Sequence, residues 1–131
     1  IGLRVDVDEG LPPIQADAVQ IQQVLLNLIR NAIDAFAENP VPEPLIVVAA
    51  QATDKDDVII TVADNGPGVP ADVAGRVFDP FFTTKPEGLG IGLSFSRSVV
   101  EAHGGLLSLT NNEPCGTIFR VALPTLLEPT Q

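Results

Sequence analysis

DAVQIQQVLLNLIRNAIDAFAE, residues 17–38, is the stretch whose reading decides the fold. Its apolar residues Ile21, Val24, Leu25, Leu28, Ala32, Ala35 and Phe36 recur at the spacing of one helix face, so the stretch predicts a long amphipathic helix packed on a core and showing its polar side outward. Gln20, Gln23, Asn27, Arg30, Asn31 and Asp34 fall together in an arc of roughly 120° at ~100° per residue. An ordinary solvated face is rich in Lys and Glu; this one is rich in amides. Amide oxygens bind a hard cation without adding charge. Asn27, Asn31 and Asp34 stand about one turn apart and have the atoms to hold Mg²⁺ beside a phosphate chain, with Arg30 approaching the phosphates. A plain wet face and a metal-and-phosphate face both remain open on this stretch alone.

Asp17 is a good N-cap for that helix, with Gln20 in the capping-box position, and Asn39, Pro40, Pro42 and Pro44 stop it. Upstream, Ile1 to Asp8 alternates Leu3, Val5 and Val7 with Arg4, Asp6 and Asp8, as in a half-buried strand. Downstream, Leu45 to Thr53 and Val58 to Ala63 read as an antiparallel hairpin joined by a charged turn. A short helix is expected from about Asp72 to Val77. Helix periodicity resumes from about Gly90 or Ile91 to Ala102, with Gly104 and Gly105 as its stop. Leu106 to Thr110 and Thr117 to Leu123 close the chain as two strands, with a frayed tail from Pro124. The simplest layer solution is an α+β domain: a mixed, mostly antiparallel sheet covered on one face by helices. It is expected over residues 1–124, with 125–131 as tail.

The chain has 131 residues, one domain by size, with 45% hydrophobic residues and a formal net charge of -10. Its seven Lys and Arg are scattered singly, so no basic patch exists to hold nucleic acid. An anion bound to such a chain needs a metal, backbone N–H groups or a few aimed cations. The lone Cys115 has no internal partner, and no Cys/His cluster has zinc spacing. A reducing cytoplasm is the expected compartment. The start at Ile1 rather than Met suits a domain of a longer protein, whose membrane anchor, if it has one, would lie elsewhere.

Two loops have chemistry to offer. Asp64-Asn65-Gly66-Pro67-Gly68-Val69-Pro70 follows a strand, where a carboxylate held at a pocket edge can accept the exocyclic amine of adenine while glycines bring backbone close to a flat ligand. A strand-ending turn has the same composition. Gly88-Leu89-Gly90-Ile91-Gly92-Leu93 opens a helix and frees N–H groups for phosphate, although it matches neither the dinucleotide fingerprint nor the phosphate loop. Before it, Phe78, Phe81 and Phe82 are placed to pin the base of a lid, and Thr83, Thr84 and Lys85 to reach a terminal phosphate. Aromatics so spaced also serve as core. His103, the only histidine, reads as a partner for a helix C-terminus rather than a phosphate acceptor, and Cys115 as no nucleophile.

Taken in order, QVLLNLIRNAIDA (23–35), DNGPGVP (64–70), FDPFFTTK (78–85) and GLGIGLSFSRSVVEAHGG (88–105) resemble the N box, first glycine box, F box and second glycine box of the catalytic, ATP-binding domain of sensor histidine kinases. The likeness covers nearly the whole chain, and FFTTK with its short glycine lid is most similar to the oxygen-sensing and nitrogen-regulatory subgroup. It implies the GHKL, or Bergerat, α/β sandwich, with ATP and Mg²⁺ as ligands. By this resemblance Asn31 is the magnesium ligand, Asn27 lines the phosphates, and Arg30 and Asp34 share their face. Asp64 is the adenine-binding carboxylate, with Gly66, Gly68 and Val69 shaping its wall. Phe82, Thr83, Thr84, Lys85 and the residues from Gly88 to Leu93 close over the phosphates, and Asn27, Asn31 and Lys85 act on the transferred group. Thr117 after Gly116 resembles the last glycine box, with Pro114 where its first glycine is expected.

Topoisomerase-type relatives carry a Glu one turn before the metal-binding Asn to activate water, and here that place holds Asn27, which is no general base. The resemblance thus implies transfer of the γ-phosphate to a histidine of a separate dimerisation domain, and from there to a response regulator. The acceptor histidine is not in this chain. A monomeric fragment of a homodimeric protein is expected. The rival readings are a GHKL-type ATPase, a serine kinase of the anti-sigma class, and an inactive pseudokinase serving as an interaction module.

Overall fold

The computed structural model describes residues 1–12, 14, 16–53, 57–68, 78, 92–112 and 115–125. Five strands form one sheet: β1 (Gly2–Val7), β2 (Leu45–Ala52), β3 (Asp57–Asp64), β4 (Leu106–Asn111) and β5 (Thr117–Pro124), in the order β1-β2-β3-β5-β4. Among the described residues two helices are seen, α1 (Ala18–Glu38) and α2 (Gly92–Ala102). β1 pairs with β2 in parallel because α1 carries the chain back between them. The other three pairings are antiparallel, and the two hairpins run as the sequence predicts.

Strand alternation sends Ile46, Val58, Ile60, Val62, Phe119, Val121, Leu123 and Leu107 toward the helices. There they meet Ile21, Val24, Leu28, Ala32 and Phe36 of α1 and Val99 and Val100 of α2 in one core. The helix–sheet layering and the mostly antiparallel sheet are those expected. Beyond β5, Thr125 forms an antiparallel bridge with Ile14.

Three local expectations change. β1 is exposed along its whole length rather than half-buried. Leu3, Val5 and Val7 pair with Ile46, Val48 and Ala50, yet they stay 59–62% exposed, because the helices pack over β3 and β4 and leave this edge uncovered. Second, the polar face of α1 is outward only in part: Gln20, Gln23 and Arg30 are exposed as expected. Asn27, Asn31 and Asp34 are half-buried on the flank of the helix, and three large apolar side chains, Val19, Leu26 and Ile33, are 42–64% exposed. Third, Asp17 caps α1 by accepting from the Gln20 N–H at 3.1 Å, but its own N–H donates to His103 Nε2 at 3.1 Å and needs no reciprocal side chain. The helix expected at 72–77 lies outside the described residues.

Candidate functional site

Asp64 ends β3 in register with Ile46 and Thr117, so alternation turns its side chain toward the helix layer. It is only 6% exposed. Its Oδ1 accepts the Gly66 N–H at 2.9 Å, and the Thr117 N–H also favours the ionised form. Burial outweighs both and raises the carboxyl pKa above its ordinary 3.8. A further donor brought by a ligand would therefore be well received.

The turn after Asp64 is braced from two sides, by the entry to β2 and by the β4–β5 turn. Asn65 Oδ1 accepts from the Leu45 N–H at 2.9 Å while its Nδ2 donates to the Glu43 carbonyl at 2.8 Å. From the other side Asn112 Nδ2 donates to the Asp64 carbonyl at 2.8 Å. Gly116, at φ +114°, passes so close that a Cβ there would collide with that carbonyl. A Cβ at Gly66 would lie 3.1 Å from Asp64 Oδ1 and 3.4 Å from the Phe36 ring. The C-terminal part of α1 thus abuts the Asp64 turn.

Two turns back along the same helix, Asn27 Nδ2 donates to Ser96 Oγ of α2 at 3.2 Å. Asn31 and Asp34 lie between Asn27 and Phe36 on the flank that is half-buried, and Arg30 is exposed. From Asn27 to Phe36 the helix runs about 14 Å at 1.5 Å per residue, a length comparable to an extended nucleoside triphosphate. One wall therefore joins the buried carboxylate at one end to the amides at the other. Among the described residues no three His, Cys, Asp or Glu gather as a metal cluster, so a cation on this wall would draw on amide oxygen.

Phe78 packs against the core: its ring meets Phe119 edge-on at 6.4 Å between centroids, and the Arg97 guanidinium lies 5.6 Å from its centroid. Gly92 opens α2, and Leu93 packs partly buried against the core. Val69, Phe81, Phe82, Thr83, Thr84, Lys85, Gly88, Leu89, Gly90, Ile91 and Pro114 lie outside the described residues. Thr117 is buried beside Asp64.

His103 takes the role read for it. Its Nδ1 lies 2.7 Å from the Val99 carbonyl at the end of α2, and Nε2 accepts from the Asp17 N–H, so the ring links the end of α2 to the start of α1. Cys115 is exposed, its thiol donating to the Asn65 carbonyl at 3.4 Å. Asn65, Asn112 and Ser96 were not singled out from sequence. The asparagines had a signal, since Asn in turns habitually bonds backbone; Ser96 had none.

The family model described as "Histidine kinase-, DNA gyrase B-, and HSP90-like ATPase" matches residues 16–127. The chain is 46% identical over 124 residues to the sensor protein FixL of Bradyrhizobium diazoefficiens, covering 95% of this chain and 24% of FixL. It spans about a quarter of the length of that relative. The catalytic domain of histidine kinase ThkA superposes with a TM-score of 0.80 at 33% identity, covering 95% of this chain and 78% of that one. Full-length ShkA, solved with AMPPNP, superposes with a TM-score of 0.79 at 30% identity, covering 98% of this chain and 27% of that one. No helix among the described residues is long and apolar enough to cross a membrane. With its fold, its buried Asp64 and its amide-bearing helix flank, the chain belongs to the histidine kinase-, DNA gyrase B- and HSP90-like ATPases, as an ATPase-type catalytic domain of the sensor histidine kinase branch.

Proposed function

We propose that this domain binds Mg-ATP along α1 and presents the γ-phosphate to a histidine of a separate dimerisation domain, from which it passes to an aspartate of a response regulator. The observation that carries the reading is Asp64: a buried carboxylate, raised in pKa by desolvation, at the end of a wall of amides. Adenine donates its exocyclic amine to such a group, whereas guanine offers a carbonyl and would face it acceptor to acceptor. ShkA, a neighbour of the same fold, is solved with an ATP analogue.

The residues present fit both ligands. Asp64 would orient the base, with the turn at Gly66 and Gly68 shaping the wall beside it. Asn31 would hold Mg²⁺ by its amide oxygen, with phosphate oxygens and water completing the shell. When bound, the ion supplies charge neutralisation at the transferred phosphoryl group. Arg30, Asp34 and Asn27 line the same flank. Val69, Phe82, Thr83, Thr84, Lys85 and the segment Gly88 to Leu93 are proposed to close the phosphate end, with Lys85 adding positive charge. Thr117 supports Asp64 through its N–H. Asn27 lacks the basicity to activate water, so the phosphate is kept for a protein acceptor rather than hydrolysed. We place the domain in the cytoplasm, as a monomeric part of a homodimeric kinase.

Calorimetric titration with ATP, with and without Mg²⁺, tests this. Wild type binds, Asp64→Asn binds far more weakly, and Asn31→Ala loses the magnesium dependence. Undiminished binding by Asp64→Asn would remove Asp64 from the site; no binding by wild type would leave the domain as an interaction module.

A further inference from the structure

β1 is a free edge of the sheet, and the hydrogen bonds at its two ends say which of its backbone groups are spare. The Gly2 N–H donates to the Pro44 carbonyl at 2.8 Å and the Asp8 N–H to the Ala50 carbonyl at 3.0 Å. Backbone groups alternate sides along a strand, so Arg4 and Asp6 also turn theirs to β2, while Leu3, Val5 and Val7 turn theirs to solvent. Exposed edges are commonly blunted by proline, lysine or a bulge, and β1 has none of these. Its two charged residues, Arg4 and Asp6, have opposite signs, lie 3.1 Å apart and stay exposed on the face away from the helices.

We infer that β1 is a docking edge for β1 of a second copy of this chain, paired antiparallel about a twofold axis at Val5. In that register Val5 stands opposite Val5, Leu3 opposite Val7, and Arg4 opposite Asp6. The outward N–H and C=O groups of Leu3, Val5 and Val7 meet the same groups of the second copy. Their side chains, 59–62% exposed in the single chain, line up on the helix side. On the other face, Arg4 of each copy meets Asp6 of the other. Charge complementarity selects this register: a slip of two residues either way sets Arg4 against Arg4 or Asp6 against Asp6. A slip of one residue turns the apolar side chains of one copy to the wrong face. The contact is closed by its twofold axis and stops at two copies. One strand edge buries far less than the roughly 1,200–2,000 Å² of a stable complex, so the chain pairs when concentrated and is a monomer when dilute. In the homodimeric kinase proposed above, two copies on one scaffold would reach roughly millimolar effective concentration. The inference touches that reading only there and makes no use of the nucleotide site.

The test is the rotational correlation time of this chain by NMR, followed from about 0.05 mM to about 2 mM in about 0.15 M salt, which screens the repulsion between chains of net charge -10 beyond about 8 Å. Wild type is expected to approach the value of a dimer at the top of that range. Arg4→Asp and Asp6→Arg each set like charges together twice and are expected to weaken pairing about tenfold. Asp6→Arg also lowers the net negative charge, so general repulsion alone would have it pair better. The Arg4→Asp/Asp6→Arg double, and an equimolar mixture of the two single variants, put opposite charges together again and are expected to pair like wild type. Val5→Pro removes an N–H that β2 does not use, and is expected to stay monomeric while its circular dichroism matches wild type. A wild type that remains monomeric to about 2 mM would overturn the inference, as would association that Val5→Pro and the charge variants leave unchanged. Failure of both the double variant and the mixture to recover pairing would overturn it as well. None of these outcomes bears on ATP titration, so the nucleotide reading stands or falls separately.

Discussion

Asp64 exchanges hydration for two backbone N–H groups, and the exchange leaves its ionised form less comfortable than in water. Its folded pKa lies above the ordinary 3.8, so between those two values the folded chain holds more protons than the unfolded one. The stability attributable to Asp64 therefore falls as pH rises through that window and stays low above it. Asp64→Asn removes the titration. Its unfolding free energy minus that of wild type should grow as pH rises above about 4 and level off once pH passes the folded pKa, measured by denaturant unfolding at several pH values; a constant difference would contradict the buried charge. Gly116 gives a second expectation. A side chain there meets both φ +114° and the Asp64 carbonyl, so Gly116→Ala should cost about 1–3 kcal/mol from backbone strain alone, read from the urea midpoint. In the sequence, Asp64 and the glycines after it were visible as a strand-ending turn. The braces Asn65 and Asn112 were not, because their partners, Leu45, Glu43 and the Asp64 carbonyl, are set by strand neighbours 20 to 48 positions away.

As an element, α1 has three sides. One holds Ile21, Val24, Leu28, Ala32 and Phe36 in the core, one carries the amides, and the third shows Val19, Leu26 and Ile33 to solvent. Phe36 joins the first two, since its ring abuts the Asp64 turn at Gly66. Phe36→Ala should cost about 3–5 kcal/mol by opening a cavity, and should also wet Asp64 and bring its pKa down toward that of a solvated carboxylate. A thermal melt checks the first effect, and carboxyl titration by NMR the second. Leu26→Gln, on the solvent side, should change stability by no more than about 0.5 kcal/mol in the same melt. The helix, its N-cap and its apolar face were legible because helical periodicity is a local property. That Asn27 and Asn31 sit half-buried was not, because it depends on where α2 lies.

For the whole molecule, a net charge of -10 is an unfavourable field for a triphosphate. In the proposed site a bound cation would offset it, so Mg-ATP should protect the fold where metal-free ATP protects it less. At a hundred times the Kd, Mg-ATP should add about 2.7 kcal/mol to the unfolding free energy, and GTP at the same concentration should add far less. Differential scanning fluorimetry with the two nucleotides decides this, and equal shifts would count against base recognition by Asp64. By itself the sequence determined the order of strands and helices, the two hairpins, the helix built on residues 17–38 and the family, because periodicity, turn residues and motif spacing are written within short stretches of chain. Only the tertiary structure decided that β1 is a bare edge, that Asn27 bonds Ser96 across 69 positions and that Asp17 bonds His103 across 86. It also decided that Asp64 is buried beyond the compensation of its backbone donors. Each of these depends on which surfaces pack together, and burial and long-range hydrogen bonds exist only once they do.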